Sequence, residues 1–216
     1  SLVAIPDALP ISPRAVLVIS GHWEAPEFTV SNASRPPMVY DYGGFPDEFY
    51  RIRYDAPGAP DVAEQVSALL NRAGLPCQLD SHRGLDHGTF SIMQPMHPEA
   101  DMPVLQLSIA AGYDPGLHYE AGRALAPLRE EGVLILVSGS SYHNLRLWSP
   151  AGAPISLGFD AWLQETLTAC PPSERRKRLE EWTSAPFARA AHPREDHLVP
   201  LMVAVGAADN ADGTLV

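Results

Sequence analysis

Two unbroken aliphatic runs, Ala15-Val16-Leu17-Val18-Ile19 and Val133-Leu134-Ile135-Leu136-Val137, set the strongest limit on how this chain can fold. A strand wetted on one face alternates apolar and polar residues, whereas a strand buried on both faces reads as continuous aliphatic sequence. Val104-Leu105-Gln106-Leu107-Ser108-Ile109 has the same character with polar interruptions. Between these runs the spacing is helical. From Asp61 to Ala73, the residues Val62, Val66, Leu69, Leu70 and Ala73 share one stripe, and Gly74 follows as the expected C-terminal cap. Leu117 to Glu131 repeats the device, with Ala121, Leu125 and Leu128 inward and Gly132 closing it. Further helices are expected over Leu157 to Ala169, Ser173 to Trp182 and Pro193 to Ala208, the last opening on a proline suited to a first helical turn. Strand, helix, strand, helix, strand, helices is the order of a three-layer α/β/α sandwich with a mostly parallel or mixed central sheet. The 22 prolines and 16 glycines concentrate between the periodic segments and no repeat or low-complexity linker divides the chain, so residues 1–216 read as one domain.

Composition excludes several classes of function. A net charge of -11 repels nucleic-acid phosphates and anionic lipid surfaces, so neither is an expected partner. The densest basic run, Arg175-Arg176-Lys177-Arg178, is followed at once by Glu180 and Glu181 and reads as a solvated helix face. Two cysteines, Cys77 and Cys170, make no disulfide framework and lack metal-ligand spacing, which fits a reducing cytoplasm. No apolar stretch is long enough to span a bilayer, and no signal peptide opens the sequence. Self-association into a homo-oligomer is left open.

Against this background the histidines stand out. In layered α/β folds ligands collect outside the carboxyl ends of the strands. His22 lies three residues beyond Ile19, and His143 lies in the loop after the run ending at Val137. If the two strands are parallel neighbours, both imidazoles open into one crevice. Gly21, and Gly139 with Ser140 and Ser141, would permit tight turns that expose them. Asn144 is placed to fix a ring tautomer. His197 falls one turn into the expected last helix, where spacing alone divides evenly between a site role and a capping or surface role shared with His192. His87, between glycines in Gly84-Leu85-Asp86-His87-Gly88, is either a functional loop residue or a turn residue, while His82, His97 and His118 read as solvated surface.

Seven segments, in order along nearly the whole chain, resemble the class III extradiol ring-cleavage dioxygenases, and most closely their DOPA dioxygenase-like branch. They are Ser20-Gly21-His22-Trp23-Glu24, Tyr42-Gly43-Gly44-Phe45-Pro46, Tyr54-Asp55-Ala56-Pro57-Gly58, Gly84-Leu85-Asp86-His87-Gly88, Pro98-Glu99-Ala100-Asp101, Ser138-Gly139-Ser140-Ser141-Tyr142-His143-Asn144-Leu145-Arg146 and His192-Pro193-Arg194-Glu195-Asp196-His197-Leu198. The resemblance implies dioxygen chemistry on a small catechol with non-haem Fe(II). His22 and His197 match metal ligands, His143 matches a further ligand or an acid/base, and His87 matches a pocket histidine suited to substrate binding or proton transfer. Two departures accompany it. The branch carries one more ligand histidine in a His-Gly-Ser-Pro-like segment, which nothing before Pro13 matches; either that segment lies outside this sequence, which opens on Ser1, or the site lacks a ligand. The histidine common before the Gly-Phe-Pro motif is replaced here by Tyr40-Asp41, a change expected at the substrate contacts.

The implied chemistry accounts for these residue types. Fe(II) oxygenases gather their ligands on one face so that substrate and dioxygen take the open positions together. A nearby histidine takes the second hydroxyl proton and later returns one, its ordinary pKa lying near working pH. Arg51, Arg53, Arg83 and Arg146 are candidates to hold a substrate carboxylate, with Arg146 in the motif-bearing loop. The same histidines also suit Zn(II), which binds more tightly than Fe(II). On that alternative the protein is an amide or ester hydrolase with Glu24 or Asp86 as general base. A catalytically silent binding domain is the third reading.

Overall fold

The structure, a computed structural model, describes residues 2–208 and 211–215. Five strands, β1 (Ala15–Ala25), β2 (Phe28–Ser31), β3 (Cys77–Asp80), β4 (Val104–Ala110) and β5 (Val133–Ser138), form one sheet in the order β3-β2-β4-β1-β5. Strands β4, β1 and β5 are parallel, with β5 at the sheet edge, and β2 and β3 run the other way, so the sheet is mixed. Helices α1 (Ile5–Ala8), α2 (Pro60–Arg72), α3 (His87–Met96), α4 (Pro115–Leu125), α5 (Pro127–Glu130), α6 (Ala153–Thr168), α7 (Pro172–Glu180), α8 (Ala188–Ala191) and α9 (Val199–Ala207) surround it, giving the expected three-layer arrangement.

Burial explains the aliphatic runs. Leu17, Ile19, Leu105 and Leu107 face a core shared with Val62 and Val66 of α2, Ala121 and Leu125 of α4, and Val199 and Val203 of α9. The alternate residues Val16, Val18 and Val104 face a second core with Leu85, and with Phe90 and Met93 of α3. Neither parity can be polar, because each packs on a helix layer. A third core joins Phe159 and Leu163 of α6, Leu179 and Trp182 to Leu198, Met202 and Val205. Thus α9 is wedged between two cores and is apolar all round, as a helix without a wet face must be.

Several boundaries differ from expectation for identifiable reasons. Strand β1 does not stop at Ile19. Between Ile19, paired with Leu107, and Glu24, paired with Ile109, it runs five residues against two of β4 and bulges outward. The helix expected over Leu117 to Glu131 breaks at Ala126 because Pro127 cannot continue it, leaving α4 and α5. The expected start at Pro193 is overturned: 193–198 form bends and turns, and α9 begins at Val199 with Pro200 in its first turn. Gly74 and Gly132 adopt φ of +77° and +74°, the left-handed conformation that ends helices. In the basic run, Arg176 and Arg178 sit in surface ion pairs, but Arg175 is buried, donating to the backbone carbonyls of Ala211 and Cys170 and pairing with Asp212. Among the described residues no helix is long and apolar enough to cross a membrane.

Candidate metal centre

The bulge of β1 carries His22 out of the sheet at the carboxyl end of the central strands, beside the end of β5, whose last residue Ser138 pairs with Ser20. The turn preceding α9 brings His197 across both strand ends. That approach requires glycine at two points. A Cβ on Gly21 would lie 2.6 Å from the Asp196 carbonyl oxygen, and one on Gly139 would lie 2.3 Å from the His197 carbonyl oxygen. Neither glycine has the positive φ expected of a tight turn; their role is to admit the 196–197 backbone, which Ser140 N–H then binds at 3.0 Å. His143 follows in the next loop, its N–H donating to Ala191. His87 begins α3 rather than occupying a free loop, with Asp86 as N-cap accepting from Thr89 N–H.

These four imidazoles form a row: His87, His22, His197, His143. Ring centres are 3.9 Å apart for His87 and His22, 4.6 Å for His22 and His197, and 3.4 Å for the stacked rings of His197 and His143. The Nε2 atoms of His22 and His197 face each other at 3.1 Å. Each end of the row has a carboxylate. Asp41 accepts from His87 Nδ1 at 2.8 Å and lies 3.4 Å from His22 Nδ1. Asp196 lies 3.2 Å from His197 Nδ1, too poorly aligned for a hydrogen bond, and 3.9 Å from His143 Nδ1.

A carboxylate beside Nδ1 favours the proton on that nitrogen in both His22 and His197, which leaves two lone pairs directed at each other. With both Nε2 atoms bare the contact repels unless a cation lies between them, whereas with one Nε2 protonated it is an N–H···N hydrogen bond. Two nitrogens each about 2.1 Å from one ion are about 3.0 Å apart at right angles and about 3.4 Å apart in a tetrahedron; the observed 3.1 Å falls within that span. His22 and His197 therefore could hold a metal as they stand. Burial, then His87 and His197, push the His22 pKa down to about 4 against the pull of Asp41 and Asp86, so the ring is neutral at neutral pH. Burial and His197 lower His143 as well. The hydrogen bond to Asp41 raises His87 over the opposing effect of burial. Asp41 itself is held low: burial is the largest single influence and opposes this, but the His87 hydrogen bonds together outweigh it.

Other candidates are occupied elsewhere. Asp86 is buried and accepts from Ser20, Arg83, Gln106 and the Thr89 backbone, and Glu24 is bound by Tyr113 and Arg194, so neither is a free general base. Arg83 is committed to Asp86 over the Trp23 ring, and Arg53 to Asp55. Arg146 lines an open cleft of about 640 Å³ with His143, Leu145, Leu147 and Arg194, and no ion pair among the described residues engages it. Asn144 fixes no ring tautomer; it donates to Ala190 and accepts from Arg146 N–H, capping a short 3-10 turn. Tyr40 binds the Ile52 carbonyl, leaving Asp41 as the half of that pair which reaches the site. Asp41 and Asp196 were not singled out as site residues, although each adjoins or lies within a recognised motif. His82 is exposed as expected, but His118 is buried, bridging Ala110 N–H and the Asp114 carbonyl, and one ring nitrogen of His97 is enclosed.

Residues 4–215 match the family described as the catalytic LigB subunit of aromatic ring-opening dioxygenase, and the chain belongs to that family. It is therefore an aromatic ring-opening dioxygenase, an oxidoreductase of a metal-dependent kind that uses dioxygen and a small-molecule substrate. It is 42% identical over 209 residues to a 4,5-DOPA dioxygenase extradiol of Beta vulgaris, covering 94% of this chain and 77% of that protein. It is 35% identical over 205 residues to the 4,5-DOPA dioxygenase extradiol of Escherichia coli K12, covering 93% and 74%. The crystal structure of an uncharacterized Escherichia coli K12 protein superposes with a TM-score of 0.76 at 29% identity, covering 97% of this chain and 81% of that one.

His192, expected at a helix start or on the surface, is fully buried against Phe159 and Trp182. Its ring nitrogens lack hydrogen-bond partners, and burial takes its pKa down to about 4 despite a weak opposing influence of the Ser141 backbone. Above pH 6.5 the ring is neutral in folded and unfolded chains alike. Between pH 6.5 and about 4 the unfolded chain binds a proton that the folded protein refuses, so stability falls as pH falls. His192→Phe should flatten this acid limb by about 3 kcal/mol in urea unfolding of the metal-free protein. Separately, Gly139→Ala should cost about 1–3 kcal/mol in the same assay by pushing the His197 turn off β5, and should weaken metal binding measured by titration.

Proposed function

We propose that this chain acts as one catalytic domain that opens the ring of a small catechol by extradiol cleavage, with Fe(II) held by His22 and His197. The observation that carries the reading is the opposed Nε2 pair at 3.1 Å, flanked on both sides by further histidines. On this reading the histidine of the family's upstream segment completes the ligand set. Bound there, Fe(II) supplies Lewis acidity toward a catechol hydroxyl and the redox coupling to dioxygen.

The chain's own residues divide the remaining work. His143 stacks nearly parallel to His197, at an interplanar angle of 21°. The His22–His197 pair already faces one point, so on this reading His143 takes an acid/base role, with ligation beside Asp196 and His197 as its second role. His87, at the other end of the row, is the second proton-handling group, accepting or returning a hydroxyl proton. Arg146 is free to pair with a substrate carboxylate, while Leu145 and Leu147 offer apolar contact to an aromatic ring. Family membership favours oxygenation over hydrolysis, and the committed state of Asp86 and Glu24 removes the base that hydrolysis needs. The buried, unpaired Cys77 and Cys170 fit a cytoplasmic setting.

Anaerobic loading with Fe(II), followed by exposure to oxygen and a panel of catechols, should give oxygen uptake and a yellow ring-opened product; uptake with none of the catechols would refute the reading. His22→Ala and His197→Ala should lose metal while keeping the fold by circular dichroism, whereas His87→Ala should keep metal and lose rate. Arg146→Met should raise KM about 10-fold or more for catechols bearing a carboxylate, as expected for loss of a charge-assisted hydrogen bond, and change KM little for catechol itself.

A further inference from the structure

Asp41 lies outside every helix and strand, in a segment drawn against the approach to α3 by the Met38 to Leu85 bridge. Its carboxylate divides between two rings. Oδ1 accepts from the backbone N–H of His87 at 3.0 Å and from its Nδ1 at 2.8 Å, while Oδ2 lies 3.4 Å from Nδ1 of His22. The side chain is 18% exposed, within a residue that otherwise faces solvent.

We propose that Asp41 is a positioning residue: one carboxylate that holds the proton on Nδ1 of both His87 and His22. Nε2 of His87 is then bare toward the reacting oxygens, and Nε2 of His22 is bare toward the metal. An imidazole without such an acceptor can carry its proton on either nitrogen, and half of the site would present N–H where a lone pair is needed. The proposal rests on the reading of His87 as a proton-handling group. A purely scaffolding role fits the geometry less well. Val39 N–H already donates to Leu85 and Leu85 N–H to Pro37, each at 2.8 Å, so the segment is fastened without the carboxylate. Oδ2, moreover, faces His22 and does nothing for the loop. Asp196 approaches His197 Nδ1 at 3.2 Å without a hydrogen bond, as Asp41 Oδ2 approaches His22, but it makes no bond to a second ring like that of Asp41 to His87.

Asp41→Asn preserves size but offers one acceptor oxygen, so the two rings cannot both keep Nδ1–H. Long-range proton–nitrogen NMR of the histidine rings, on metal-free protein, should show Nδ1–H tautomers for both His22 and His87 in the native chain, and a shift to Nε2–H in at least one ring of the variant. At saturating Fe(II), kcat should fall about 10- to 100-fold with the catechol KM changed by less than about threefold, as expected when a group outside substrate contact is lost. Asp41→Glu should recover part of the rate. In a His87→Ala background the further loss from Asp41→Asn should shrink, because the two residues act as a unit. Unchanged ring tautomers in Asp41→Asn, or full kcat once metal is saturating, would overturn the proposal. A His87→Ala protein with full rate would overturn the reading of His87 instead, and the metal-free spectra would still decide the case of Asp41.

Discussion

Two imidazole nitrogens from residues 175 positions apart in sequence face each other at 3.1 Å, and much of the architecture can be understood as what makes that approach stable. With both Nε2 atoms bare such a pair repels, and with one protonated it is a hydrogen bond. A carboxylate lies near each ring, burial keeps His22 neutral, and two glycines let the 196–197 backbone press against the ends of β1 and β5. A cation between the bare nitrogens would turn repulsion into attraction. The centre is thus arranged in advance of its ligand, which lowers the cost of ordering when the ligand arrives.

The supporting frame is apolar and rigid where it needs to be. His197 immediately precedes α9, and α9 is held between the sheet core and the α6 core with only Leu201 and Ala204 partly exposed. A helix gripped on all sides has little freedom to slide or rotate, because both cores would have to repack together. On the opposite layer, α3 delivers His87 with its first turn capped by Asp86, whose other oxygen contacts fasten it to Ser20, Arg83 and Gln106. His87 and His197 therefore arrive with helices of opposite layers and meet over the ends of the strands that carry His22 and lead to His143.

How much of this was legible in the sequence depends on the kind of signal. Strands β1 and β4 were readable because burial on both faces leaves a mostly apolar record; β5 carries the same aliphatic run although it is the edge strand with Leu134 to Val137 only half-buried, and the segment Asp61 to Ala73 was readable because one wet face leaves a stripe. Strands β2 and β3 are four residues each, too short to show a period, and α3 contains Pro95, which obscures its helical pattern. Near the C-terminal end, two prolines offered two helix starts; local chemistry favours either, and packing chose Pro200 over Pro193. His22, His87, His143 and His197 were recoverable from motifs, and the structure brings all four together. The burial of His192 and His118 was not, since it depends on partners such as Phe159 and Phe28 that are distant in sequence or unremarkable in it.

The bulge in β1 has a consequence for how such a centre can vary. On one side of it the strand is locked by pairs from Val16 to Ile19, and on the other by Glu24 and Ala25. The intervening residues make no pairs with β4, but Ser20 still pairs with Ser138 of β5 and Gly21 is required by the Asp196 carbonyl, so freedom in the detour falls to His22 and Trp23. Chemistry placed there can be exchanged while the scaffold on either side keeps its alignment, which makes the strand interior, and not only its connecting loops, a place where new specificities can arise.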